Sequence, residues 1–195
     1  MPSRQTISVD ALRRIMRYDE DSGKLFWLTR TEDMFTATAS RSSLHLCRWW
    51  NSKNAGKEAV SGTTAAGYLR STVQGRDILA HRAAWALFFG EWPTAILDHI
   101  NADRSDNRIA NLRQATASES RQNVRHERGA ASRFKGVHAD GRGRWRSSIM
   151  KDGAKTHIGM FSCEVAAAKA YDAKAKEVFG EFACLNFSEG GRNAF

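Results

Sequence analysis

The sequence predicts an α+β protein in two parts: a central strand, loop, strand and helix, then a block of short strands closed by one helix. Three observations predict it. Apolar residues recur at helical spacing in some segments and alternate at strand spacing in others. In the middle, the apolar run "TAILDHI" opens into a polar loop, returns as "RIANL" and meets a helix-start signal at Thr116. Towards the end, "RFKGVHADGRGRWRSSIMKDGAKTHIGMF" reads as three strand-like runs divided by glycine turns, followed by an alanine-rich helix. A hydrophobic content of 42% with only two prolines fits folded domains rather than disorder, and 195 residues suffice for one large domain or two to three small ones.

From the N-terminus, "SVDALRRIMRYD" predicts a helix, with Leu12, Ile15 and Met16 at helical spacing behind a Ser8 cap. "SGKLFWLTR" follows as a short strand after a glycine turn. Residues 31–56 mix Ser and Thr with an aromatic pair and read as a loop or an insertion. "EAVSGTTAAGYLRSTVQGRDILAHR" predicts strands separated by turns at Gly62, Gly67 and Gly75. "HRAAWALFFGEWP" is an apolar helix stopped by Gly90, with Pro93 just beyond, and His81 is read as a capping or core histidine. "TAILDHI" delivers Asp98 and His99 at a strand end. Thr116 and Glu119 form a Ser/Thr-x-x-Glu capping box, so a helix begins at Ala117. "RGAAS" (128–132) is small enough for a linker. "SCEVAAAKAYDAKAKEVFG" is a helix capped by Ser162 and stopped by Gly180, and its alanines let it lie close on a sheet.

Net charge is +9, distributed as +4 over residues 1–78, zero over 79–127 and +5 over 128–195. A balanced centre between basic ends suits carboxylates that hold a cation, flanked by segments that grip phosphates. Cys47, Cys163 and Cys184 are far apart, and without a Cys-x-x-Cys pair they predict reduced thiols and no structural zinc. No apolar run approaches the roughly 20 residues of a membrane span, and the N-terminus lacks the apolar core of a secretory signal. The expectation is a cytoplasmic protein with no membrane partner.

Phosphodiester hydrolysis needs a nucleophilic water, a base to deprotonate it, and positive charge on the phosphorane and leaving oxygen. A carboxylate beside an imidazole supplies a ligand and a base, provided that the strand ends there, since neighbours on a strand face opposite ways. Asn101-Ala102-Asp103 supplies the turn. "HRAAWALFFGEWPTAILDHINADRSDNRIANLRQAT", through Asn123, resembles the HNH endonucleases of the phage homing type. The resemblance implies a ββα-metal (HNH, His-Me finger) core around one divalent cation, Mg²⁺ or alternatively Mn²⁺. It implies Asp98 as a metal ligand, His99 as general base and Asn111 as a brace that orients His99. Arg108 and Arg113 would touch phosphates or support the loop. The family places Asn or His nine residues beyond Asn111, where this chain has Ser120; Asn123, one turn on, is the alternative ligand.

The segment from Ser132 to Phe187 resembles the plant ethylene-response-factor (APETALA-type) DNA-binding domain, through its Lys-Gly-Val, Arg-Trp, Ile-Gly-x-Phe, Ala-x-Ala-Tyr-Asp and Leu-Asn-Phe elements. That resemblance implies a small three-stranded antiparallel sheet lying in the DNA major groove with a helix packed behind. Lys135, His138, Arg142, Arg144, Arg146, Lys155 and His157 would face DNA, while Gly136, Trp145, Ala167, Tyr171 and Asn186 would pack. Lys135, His138 and His157 stand where the plant domains use arginines and a tryptophan.

The resulting organisation is an N-terminal supporting region (1–78), an HNH core (79–127), a linker (128–132), a DNA-binding domain (133–188) and a tail (189–195). The implied function is metal-dependent hydrolysis of double-stranded DNA by a monomer or weak dimer, in the host cytoplasm if the chain is phage-encoded. The alternative is a DNA-binding regulator whose nuclease centre has decayed, for which Ser120 is the supporting feature.

Overall fold

The computed structural model describes residues 7–123 and 132–187. Residues 128–131 of the predicted linker, the tail at 189–195, and His126 therefore lie outside the described residues. The chain divides into two compact units, Met1–Gln114 and Ala115–Phe195.

In the first unit, helix α1 (Val9–Arg13) is capped by Ser8, whose hydroxyl accepts from Ala11 N. The predicted helix is too long: Met16–Asp19 is strand β1, paired antiparallel with β2 (Lys24–Trp27). Pairing with β2 puts Met16 opposite Trp27 and Tyr18 opposite Leu25, so apolar positions that fit a helical period satisfy a period of two. Residues 31–56 also depart from the expected loop. They hold a single 3-10 turn (Glu32–Met34) and helix α2 (Ser43–Asn54), started by the Ser42 hydroxyl accepting from His45 N. Strands β3 (Gly62–Thr63), β4 (Leu69–Val73) and β5 (Arg76–Leu79) form an antiparallel sheet. Gly67 and Gly75 make turns at positive φ, whereas Gly62 sits within β3 rather than in a turn.

Helix α3 (Ala80–Phe89) ends at Gly90, whose φ of 82° is left-handed backbone. Its buried Ala80, Ala83 and Ala86 pack with Leu12, Met16, Leu25 and Val73, so the N-terminal segment and α3 share one core. Methyl side chains allow the close approach of backbones that such a core requires. Strand β6 (Ile96–His99) pairs with β7 (Leu112–Ala115), and a 3-10 turn at Ile109–Asn111 leads into β7.

The second unit opens with α4 (Ala117–Gln122), and both halves of the Thr116–Glu119 capping box are formed. Strands β8 (Val137–Ala139), β9 (Trp145–Lys151) and β10 (Ala154–Phe161) make an antiparallel sheet with β9 central. Helix α5 (Glu164–Phe179) lays Ala167, Ala168, Tyr171 and Ala175 against Val137 and Ile149. Its N-cap is Cys163, not the predicted Ser162. Gly136 is required by packing: a Cβ there would collide with the Tyr171 ring and lie 2.8 Å from Ser148 O. Asn186, fully buried, ties the unit together. It accepts from Lys135 N (2.7 Å) and donates to Asp172 Oδ1 (3.0 Å).

Candidate functional site

Asp98 and His99 end β6, and both are buried, at 7% and 3% exposed. The chain turns immediately after them: Ala102 N donates to His99 O at 2.8 Å, with Ala102 at a φ of 55°. The polar loop is held by its own side chains. Asn101 Oδ1 accepts from Asp103 N, and Asn101 Nδ2 donates to Asp106 Oδ2 at 2.8 Å. Asp106 also takes Nε and Nη2 of Arg108, at 2.7 and 2.6 Å. These short-range bonds are what a run rich in Asn, Asp and Ser provides.

Asn111 closes the loop across its base. Its Oδ1 accepts from Asn101 N (2.9 Å) and its Nδ2 donates to Asp106 O (2.8 Å). The side chain that meets His99, however, is Asn107: its Oδ1 lies 3.1 Å from His99 Nε2, and Asn107 is itself 3% exposed. With that amide oxygen accepting, Nε2 carries the ring proton and Nδ1 has the basic lone pair. Sequence reasoning passed over Asn107. The available signal was an amide eight residues beyond an imidazole, within the same loop.

Asp98 pairs with Arg113 of β7, whose Nε and Nη2 both donate to Oδ2, at 3.0 and 2.9 Å. The Arg113 side chain is 12% exposed, so its charge is directed into the hairpin, whereas Arg108 is 54% exposed with its head group on Asp106.

Aromatic rings close the other side of His99. The His81 ring stands edge-on at 5.2 Å between centroids, and Tyr68 lies 5.8 Å from His99 and 5.0 Å from His81. Burial lowers the pKa of His99, opposed by the Asn107 bond and by Asp98, Asp103 and Asp106. Burial, then the neighbouring His99 and Arg82, lowers His81 to about 3. Both imidazoles are thus neutral near pH 7, the state a general base needs. His81 is a core histidine.

The loop also leans on the N-terminal hairpin. Tyr18 Oη donates to Asn107 O and accepts from Ile109 N, both at 3.0 Å. Gly23, at a φ of 71°, backs onto the same backbone, and a Cβ there would come within 2.5 Å of Arg108 N. No local pattern announces these contacts, which join residues some 90 positions apart.

The remaining residues singled out from the sequence belong to the second unit. Ser120 is half-buried on α4, and Asn123, at the C-cap, is buried. On the sheet, Arg146 is paired with His138 and Met160, Ser148 with His157, and Met150 with Lys155, which places these side chains on the face opposite α5. Arg142, Arg146, Lys155 and His157 are exposed, and Arg144 pairs with Asp140 at 3.1 Å. Lys135 differs from the expected surface cation. Its amine donates to Gln122 O at 2.6 Å, and burial lowers its pKa. Lys135, His138 and Lys155 line a cleft of about 680 Å³ together with Arg121 of α4. Among the described residues no three His, Cys, Asp or Glu side chains cluster in a way that would hold a metal, and no helix is long and apolar enough to cross a membrane.

Residues 79–122, from the end of β5 through α4, match the HNH endonuclease family. The chain is also 33% identical, over 108 residues, to a protein of Acanthamoeba polyphaga mimivirus described as an uncharacterized HNH endonuclease. That alignment takes in 54% of this chain and 56% of the viral protein, so the chain spans about half the length of the curated relative it matches. The Asp98–His99 pair and its loop lie inside the residues matched to that family, 79–122.

Proposed function

We propose that the chain is a metal-dependent DNA endonuclease of the phage homing type, hydrolysing phosphodiesters to 5′-phosphate and 3′-hydroxyl ends. The observation that carries this reading is a buried, neutral His99 with Nε2 held by Asn107, beside a buried carboxylate held by Arg113. His99 Nδ1 removes the proton from the attacking water, and Asn107 stabilises the imidazolium that results. Asp98 offers oxygen to a hard cation, and a set of one carboxylate with amide, hydroxyl and water oxygens suits Mg²⁺ or Mn²⁺ rather than zinc. When bound there, the cation supplies positive charge to the phosphorane and the leaving oxygen. By the resemblance a further oxygen donor comes from α4, and Ser120 and Asn123 are its candidates. Asn111 keeps the loop closed so that His99 and Asp98 hold their places.

The C-terminal sheet is proposed to hold duplex DNA by its exposed face, in the manner of the ethylene-response-factor domains. Arg142, Arg144, Arg146, Lys155, His138 and His157 are the contacts. A tethered basic unit raises the effective concentration of the nuclease at its target.

A second reading, a DNA-binding regulator without cleavage, is favoured by Ser120, a neutral hydroxyl where the resemblance expects an amide or an imidazole. Incubating the full chain with supercoiled plasmid, in Mg²⁺ or in EDTA, separates the two. Nicking that needs the metal and disappears in His99→Ala supports the nuclease. Plasmid binding without nicking, across several divalent metals and DNAs, supports the regulator.

A further inference from the structure

Helix α2 has two different faces. The inner one carries Cys47, Trp50, Asn51 and Asn54, at i, i+3, i+4 and i+7. The Asn51 amide clasps the backbone of Arg30, donating to its carbonyl (2.8 Å) and accepting from its N–H (2.9 Å). Trp50 stacks under the Arg30 guanidinium at 3.7 Å and meets Trp27 edge-on at 5.7 Å. These contacts fix the helix from below and leave its outer face to solvent.

The outer face is of one sign. His45, Arg48, Trp49, Ser52 and Lys53 are exposed along it, with Arg41 just before the helix and Lys57 just after. From Met34 to Lys57 the chain contains no Asp or Glu. Arg41, Arg48, Lys53 and Lys57 make no ion pair among the described residues, although the rest of the unit pairs its cations freely, as in Lys24–Glu58 and Arg14–Asp33. Trp49 stands 50% exposed in the middle of the row. An ordinary solvated helix mixes its charges to keep itself soluble. Four unpaired cations around an open indole are built to meet a polyanion that also offers an apolar edge. Twelve helical residues extend about 18 Å, which is long enough to follow several phosphates of one strand.

We propose that the outer face of α2 is a docking surface for the sugar–phosphate backbone of duplex DNA. Arg41, Arg48, Lys53 and Lys57 contact phosphates and Trp49 packs on the sugar edge. The surface reads no bases; it orients the duplex on the first unit, in addition to the grip proposed for the C-terminal sheet. This rests on DNA being the partner of the chain.

The test is fluorescence anisotropy of the full-length chain on a labelled random-sequence duplex over a range of salt concentrations. Arg48→Ala with Lys53→Ala should reduce the slope of log affinity against log salt by about two, one for each phosphate left without its cation. Trp49→Ala should weaken binding while leaving the slope unchanged. An equal charge loss on α5, Lys169→Ala with Lys176→Ala, should leave the slope as in the wild type, and circular dichroism should show all variants folded. A wild-type chain that binds while the α2 double variant keeps its full slope overturns the proposal and leaves the nuclease reading intact. A double variant that keeps its DNA slope but loses binding to phosphatidylglycerol vesicles overturns it in favour of a membrane surface. A wild-type chain that binds no duplex at all overturns both readings together.

Discussion

Asp98 and Arg113, on the two strands of one hairpin, are ion-paired: Arg113 Nε and Nη2 both donate to Asp98 Oδ2, at 3.0 and 2.9 Å. With the side chains 8% and 12% exposed, this is a buried charge pair, and it orients the carboxylate proposed to face the metal. A cation held at Asp98, as proposed, would share that carboxylate with the Arg113 guanidinium.

Arg113→Ala removes the guanidinium paired with a buried carboxylate, and breaking such a pair costs about 3 kcal/mol or more. Urea unfolding of the full chain should show the loss, and added Mn²⁺ should recover part of it by restoring positive charge beside Asp98. In Asp98→Asn with Arg113→Ala the recovery should vanish. If Mn²⁺ stabilises that double variant equally, Asp98 is not where the metal binds.

Asn107→Ala should lower kcat while leaving DNA affinity near wild type, because the amide touches His99 and stands 3% exposed inside the loop. The loss should be smaller than the roughly 10²–10⁴-fold expected for His99→Ala, which removes the proposed base. Asn111→Ala should instead lower the unfolding midpoint, since its amide serves the backbone of the loop, at Asn101 N and Asp106 O. Equal kinetic defects without loss of stability in the Asn111 variant would contradict this division.

His81 makes stability depend on pH. Its folded pKa of about 3 lies below the 6.5 of an exposed imidazole, so between those values the unfolded chain takes up a proton that the fold refuses. Stability should therefore be full above about pH 6.5 and fall as pH drops through that window, each unit of separation being worth about 1.36 kcal/mol. His81→Phe removes the titration and should flatten the fall in Tm measured from pH 7 to pH 4. A variant with the wild-type slope would assign the fall to other groups.

In the second unit Lys135 and Arg146 should separate cleanly. Arg146→Ala removes an exposed cation from the sheet and should reduce the salt slope of duplex binding by about one with no change in unfolding. Lys135→Ala removes the bond to Gln122 O and should lower stability with little effect on that slope. The opposite pattern would place Lys135 on the DNA.

What could be read along the chain is what depends on near neighbours. The Thr116–Glu119 capping box, the Gly90 stop and the strand that ends in Asp98 and His99 each need only a few consecutive residues, and all are found as read. Where two periods fit the same residues, local reading failed: Leu12, Ile15 and Met16 suit a helix, but pairing of Met16 with Trp27 turned the second half into a strand. Residues 31–56 failed for a related reason, since the inner face of α2 is anchored by the backbone and guanidinium of Arg30 rather than by an aliphatic stripe.

The sequence by itself determined the local chemistry: a carboxylate beside an imidazole at a strand end, and a polar loop able to turn the chain on its own side chains. Tertiary structure decided which partners those groups keep. Asn107 rather than Asn111 meets His99, Arg113 turns onto Asp98, and Lys135 onto Gln122. Tyr18 and Gly23 support the loop from the far end of the first unit. The physical reason is burial. Once Asp98, His99, Asn107 and Asn111 are taken out of water, each polar atom must find a partner within about 3 Å, and which side chain lies there is set by the packing of segments distant in sequence.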